Sequence, residues 1–234
     1  MKQLLTFFAF FVLTSTCWAQ TADEIIDNHI KAIGGAQKWS ELNSMYSEMT
    51  TDMGGMKVPI KIWQQHMKGM RVEFEVQGMT GIQVVSDKDG WPLMPFMGQT
   101  KPEPTNEEAL KSARSQLDIR GQLLDYKGKG SSVEYLGEDE DEGVEVYKIR
   151  LTDSNKTETT FFIDKENYLL IKAVSKVNFQ GQEIDAVTKM SNYKDVGGIL
   201  IPHSIDSMST GKMEIVKTEI NPAIAEDKFA MPKQ

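Results

Sequence analysis

Met56-Lys-Val-Pro-Ile-Lys-Ile-Trp-Gln-Gln-His-Met-Lys-Gly-Met-Arg-Val-Glu-Phe-Glu-Val76 is the stretch on which the fold turns. Met56, Val58, Ile60 and Ile62 alternate with Lys57 and Lys61; after Gly69, Val72, Phe74 and Val76 alternate with Arg71, Glu73, Glu75 and Gln77. A period of two with one dry side predicts half-buried strands, and two such runs a few residues apart predict antiparallel neighbours. Upstream, Met45, Met49 and Met53 share a parity, and Gly54-Gly55, Gly69, Gly78 and Gly81 punctuate the runs. Downstream, strands are expected at Ser132–Leu136, Val144–Leu151, Thr157–Asp164, Tyr168–Val177, Glu183–Tyr193, Ile199–Met208 and Lys212–Ile220. Hairpin turns are expected at 153–156, 164–167, 180–182 and 196–198.

Helices are expected at three places. Thr21-Ala-Asp-Glu24 is a capping box, Ile25, Ile26, Ile30 and Ile33 follow at helical spacing, and Gly34-Gly35 supply a stop. A short second helix is expected from Ala36 to Leu42. Pro92, Pro95, Pro102 and Pro104 predict a long loop from Trp91 to Pro104, after which Thr105-Asn-Glu-Glu108 opens a helix through Leu110, Ala113 and Leu117 toward Leu124. The fold class is therefore mainly β (α+β): a single curved antiparallel sheet, an unclosed half-barrel of about eleven strands plugged by about three helices. So many strands against three helices exclude a doubly wound fold.

With 26 Lys+Arg against 34 Asp+Glu and a net charge of −8 over 234 residues, a nucleic-acid partner is excluded, because phosphate binding needs a basic excess. Lys2, the apolar run Leu4 to Leu13 and the small residues before Gln20 predict a signal peptide over residues 1–19 and one domain over 20–234, placing the mature chain in the periplasm. Cys17, the single cysteine, is expected as a small residue near the cut; lipidation there is disfavoured by Thr14, where lipoprotein signals want leucine.

Chemistry-bearing patterns are sparse. His29, His66 and His203 stand far apart, with no metal-ligand spacing to one another. No nucleophile elbow, phosphate loop or dinucleotide fingerprint occurs, so no enzyme, metal or cofactor is expected. Glu138-Asp-Glu-Asp-Glu142 lacks the spacing of a calcium loop and is expected as a solvated hairpin tip. The unusual residue is methionine, 14 in all. It is flexible and polarisable, and suits walls that accept variable apolar shapes. An apolar pocket is expected from Met49, Val58, Ile60, Ile62, Val72, Phe74, Val76, Ile82, Val84, Ile184 and Met190, with Trp91, Met94, Phe96 and Met97 as a movable lip.

Phe161-Phe-Ile-Asp-Lys-Glu-Asn-Tyr-Leu-Leu170 resembles the fold-back hairpin of the LolA/LolB-like lipoprotein-carrier superfamily. Gly181-Gln-Glu183, then Ser191-Asn-Tyr-Lys-Asp-Val-Gly-Gly-Ile-Leu-Ile-Pro202, resemble its closing strands, and Asn221-Pro222 with Phe229-Ala-Met-Pro232 its ending. The likeness is nearest to the outer-membrane lipoprotein-sorting proteins of Bacteroidetes type. It implies an unclosed barrel of eleven strands, and a periplasmic monomer that carries lipoproteins by their acyl chains. It also implies an inner-membrane releasing transporter and an outer-membrane acceptor as partners. The barrel arginine that holds the lid of such carriers has no matched position; Arg71 falls on the wet parity of its run. A ~16-carbon chain represents on the order of 10 kcal/mol of gross burial, which a carrier must offset and then give back. Two other readings share the fold: a lipid-binding or sensing module with a non-lipoprotein ligand, and a ligand-free interaction domain of the envelope.

Overall fold

Helix α1 (Ala22–Ala32) begins as its sequence dictates. The Thr21 hydroxyl accepts from the Glu24 amide at 3.2 Å and the Glu24 carboxylate accepts from the Thr21 amide at 2.9 Å, satisfying two amides that the first turn leaves over. Ile25, Ile26 and Ile30 fall on one side and are buried. The helix stops at Gly34, whose φ of +117° a side-chain-bearing residue rarely adopts, and a Cβ there would run into the Gly198 carbonyl. Helix α2 follows (Ala36–Ser40), shorter than the sequence predicts.

The computed structural model describes residues 21–179, 182–208 and 210–232. The expected signal peptide 1–19, Cys17 and the Gln180-Gly181 turn lie outside them. Among the described residues no helix is long and apolar enough to cross a membrane.

Twelve strands form one antiparallel sheet: β1 (Ser44–Met53), β2 (Met56–Gln65), β3 (Gly69–Val76), β4 (Met79–Ser86), β5 (Gly90–Leu93), β6 (Ser132–Asp141), β7 (Val144–Thr152), β8 (Glu158–Asp164), β9 (Leu170–Phe179), β10 (Gln182–Val196), β11 (Ile199–Ser207) and β12 (Gly211–Ile220). Their order is β5-β4-β3-β2-β1-β12-β11-β10-β9-β8-β7-β6, so the chain ends of the sheet meet in its middle through β1 and β12, and β5 and β6 are its free edges. The half-barrel is unclosed, as expected.

Three expectations are corrected. Gly90–Leu93 is a strand and not the start of a loop; Pro92 is tolerated because β5 is an edge, where a missing donor costs the ladder nothing. The mid-chain helix α3 (Glu107–Ala113) is capped by Asn106, whose side chain accepts from the Ala109 amide, and not by Thr105. It tightens into a 3-10 turn at Arg114–Leu117 and then stops, well short of Leu124. Glu138 to Asp141 are strand residues of β6, and only 142–143 turn. Their carboxylates pair with lysines: Glu138 with Lys165 at 2.6 Å, Asp139 with Lys148 at 3.0 Å, and Asp141 with Lys172.

Side chains directly opposite on paired strands share a face. The inner face is the one α1 covers: its isoleucines pack on Tyr147, Ile149, Leu151, Phe161 and Ile163 together with Leu123 and Leu124 of the 118–130 connection. Farther along the same face, Leu110 and Leu117 pack on Met70 and Val85. On the outer face the C-terminal 3-10 turn Glu226–Phe229 seats Phe229 against Val84 and Trp91.

Candidate ligand-binding site

Register brings the sequence-predicted wall together row by row. Met49 lies opposite Ile60, Ile60 opposite Phe74 and Phe74 opposite Gly81; one row along, Ile62 lies opposite Val72. Gly81 is empty for a reason: a Cβ there would strike the rings of Phe74 and Phe96, which pack edge to face at 5.7 Å. Phe96 belongs to a 3-10 turn (Pro95–Met97) and thereby closes over the inner face at the β5 edge, with Met94 half-buried beside it and Met97 exposed. Across the trough, Ile184 and Met190 stand on β10 with the same inner parity. Met49 and Val58 are buried, whereas Ile60, Ile62, Val72, Phe74, Val76, Ile184 and Met190 are half-buried and belong to none of the four buried apolar clusters.

Ile82, Val84 and Trp91 do not share this face, and their expected place in the pocket is corrected. Val84 lies opposite both Arg71 and Trp91, and Ile82 opposite Glu73, on the outer parity. There Trp91 is fully buried under Phe229, its indole N–H donating to the Phe229 carbonyl at 3.3 Å. Arg71 is on this outer face too, as its wet parity implied. Its guanidinium pairs with Glu73 at 2.7 Å and donates to the Lys228 carbonyl at 3.3 Å, which ties down the C-terminal turn.

A cavity of about 210 Å³ lies beside the trough, under α1. Ile30 and Ile33 roof it, Leu123 and Leu124 of the connection flank it, and Phe161 and Met190 line it. Met190 therefore borders both the cavity and the half-buried wall. Among the polar residues of the lining, His29, Arg120 and Tyr193 each have a partner in the protein. His29 is buried with Nδ1 at 2.8 Å from the Tyr168 carbonyl; a carbonyl only accepts, so Nδ1 carries the hydrogen. Burial pulls the His29 pKa below its ordinary value, and the Tyr168 hydrogen bond opposes this only in part. Tyr193 donates to the Leu170 carbonyl at 2.7 Å, and burial pushes its phenol upward. Arg120 donates from Nε to the Leu42 carbonyl at 3.1 Å and from Nη2 to Asn43 Oδ1 at 3.2 Å, fastening the connection to the rim of the sheet. Most of the surface facing the void is apolar.

His29, Arg120 and Tyr193 were not in the sequence-predicted pocket. His29 carries a usable signal, since it shares the apolar helical stripe of Ile25, Ile26 and Ile33. Arg120 and Tyr193 carry none, because their positions follow from long-range contacts. His66 and His203 stand apart: His66 lies 3.6 Å from Asp118 in the β2–β3 turn, and His203 is buried on β11. Among the described residues no group of three or more His, Cys, Asp or Glu is placed to hold a metal ion.

No protein-family model matches the chain, and no curated protein matches it in sequence. Solved structures do match in fold. A DUF1329 family protein from Desulfovibrio piger superposes with a TM-score of 0.58 at 12% identity, covering 90% of this chain and 98% of that one. A LolA superfamily protein from Nitrosomonas europaea gives 0.55 at 12% identity, covering 91% and 98%. An outer-membrane lipoprotein-sorting protein domain from Vibrio parahaemolyticus gives 0.54 at 13% identity, covering 88% and 95%. The chain has a LolA-like fold over its described length.

Proposed function

We propose that this protein is a periplasmic carrier that binds the acyl chains of lipoproteins in its half-barrel and moves them toward the outer membrane. Export would be directed by residues 1–19, and residues 20–234 would work as one monomeric domain. The observation that supports it best is a wall of half-buried apolar side chains that joins, at Met190, a cavity lined mostly by apolar side chains. A fully packed interior would sit near crystal density and leave no such space. The ligand wall is proposed as Met49, Val58, Ile60, Ile62, Val72, Phe74, Val76, Ile184 and Met190, with Met94, Phe96 and Met97 as its lip. An inner-membrane transporter would release cargo to it, and an outer-membrane acceptor would take the cargo on. The chemistry asked of the protein is binding and release, with no bond made or broken.

A cavity of about 210 Å³ is below the ~300–1,000 Å³ of ordinary small-molecule pockets. It takes the end of one chain, and more of the cargo requires α1 or the 118–130 connection to move. This size also favours a second reading, a lipid-binding module for a ligand with a single acyl chain.

The test is lipid extraction and mass spectrometry of protein purified from the periplasm, with fluorescent fatty-acid uptake in solution. Phe74→Asp and Ile60→Asp are expected to abolish uptake while the far-ultraviolet circular dichroism stays unchanged. Recovery of no lipid together with no uptake would reject carriage. A photocrosslinker at Met94 separates the two readings: capture of a tri-acylated protein supports lipoprotein cargo, and capture of free lipid alone supports the module.

A further inference from the structure

Among the described residues, four of the five exposed methionines gather at one end of the sheet. Strand directions place the β1–β2, β3–β4 and β11–β12 turns at the same rim, and Phe96 packing on Phe74 and Gly81 brings the Pro95–Met97 turn there as well. The tips carry Met56 at 47% exposed, Met79 at 37%, Met97 at 77% and Met208 at 68%. Each stands next to or near a glycine with positive φ (Gly55, Gly78, Gly98 and Gly211), and a Cβ on any of the four would touch nothing within 4 Å. The tips project into open space. At the opposite end Met67 alone among the described methionines is comparably exposed, and the turns there carry Asp87, Lys88, Asp89, Lys165 and Glu166.

We infer that this methionine rim is a docking surface for a phospholipid bilayer. The inference rests on the carrier reading above, whose wall of Ile60, Phe74, Val76 and Ile184 opens toward the same rim. Three features favour a bilayer over a protein partner. From β4 to β11 the tips span six strands, roughly 25 Å at ~4.8 Å per strand, which is far wider than a groove for a helix or a peptide. They are single side chains interspersed along the turns with the polar Asp52, Lys57, Gln77 and Lys212, whereas a protein interface buries a contiguous apolar patch. Long flexible thioethers adapt to a fluid surface, while the intervening charges reach the headgroups. The chain's net charge of −8 means that attachment must come from the apolar tips and not from attraction to anionic lipid. Docked by this rim, the trough faces the hydrocarbon that its cargo leaves or enters.

The experiment is flotation of the mature chain with phosphatidylcholine vesicles, alongside fatty-acid uptake in solution without vesicles. The wild type is expected to float. Combined Met56→Asp, Met79→Asp and Met208→Asp is expected to cut the vesicle-bound fraction at least tenfold and to leave solution uptake as in the wild type. The corresponding leucine triple variant is expected to bind within twofold of wild type, and Met67→Asp at the far end to bind unchanged. If the aspartate triple variant does not fold, each single substitution is expected to lower binding severalfold. Failure of the wild type to float, equal binding by the aspartate variants, loss with leucine, or binding confined to anionic phosphatidylglycerol vesicles would overturn the rim. Uptake without flotation overturns the docking surface alone, whereas flotation without any uptake overturns the carrier reading and leaves the rim standing.

Discussion

Gly34 and Gly54 both have positive φ, yet their surroundings differ. A Cβ on Gly34 meets the Gly198 carbonyl and the Ile199 backbone, whereas one on Gly54 meets nothing. Gly34→Ala is therefore expected to cost about 2 kcal/mol or more and Gly54→Ala about 1 kcal/mol, read from urea midpoints at constant m. His29 supplies a second residue-level prediction. Its folded pKa lies below the ordinary 6.5 because it is buried, so below about pH 6.5 the unfolded chain binds the proton that the native chain refuses. Stability carried by neutral His29 is present at higher pH and lost as pH falls through that window. His29→Gln is expected to flatten the fall in melting temperature between about pH 7 and 5 relative to wild type; an equally steep profile would show that other groups carry it. At this scale alternation told which side chains of a strand lie together, and the Met49, Ile60, Phe74 and Val72 face followed from it. Alternation alone does not say which face is inside. Val84 and Trp91 read as apolar and buried, and they are, but beneath Phe229 on the outer side.

Among the elements, the 118–130 connection and α1 bound the cavity, and Arg120 is the clasp between connection and sheet. Arg120→Ala removes both bonds to the α2–β1 corner while leaving every apolar lining residue in place. It is expected to raise the rate of fatty-acid uptake severalfold in stopped-flow fluorescence, with a loss of about 1–3 kcal/mol in stability. An unchanged rate would mean that the ligand enters without moving this segment. The free strands are guarded by different means. β5 is short and holds Pro92, and β6 carries acidic residues paired with lysines, both of which discourage pairing with another chain. Read as sequence, these two segments were a loop and a turn tip, because proline and a charge run usually break strands. Their place at the sheet edges is what makes them tolerable as strands.

For the whole molecule, a ligand that binds only the native state stabilises it by mass action. A single-chain lipid at one hundred times its dissociation constant is expected to raise the unfolding free energy by about 2.7 kcal/mol, and to do so for the wild type but not for Phe74→Asp. A wild-type melting temperature indifferent to lipid would argue that the cavity stays shut. The amino-acid order by itself determined the α1 cap and stop, the antiparallel alternation, the turns and hence the unclosed half-barrel, because these depend on residues close in the chain. It also determined the excess of methionine. Tertiary structure alone decided that β1 pairs with β12, which face of β4 and β5 turns inward, that His29, Arg120 and Tyr193 reach the cavity, and that four methionines share one rim. Those facts depend on pairings between residues far apart in the chain, and no local period records which distant segments the burial of apolar surface will bring together.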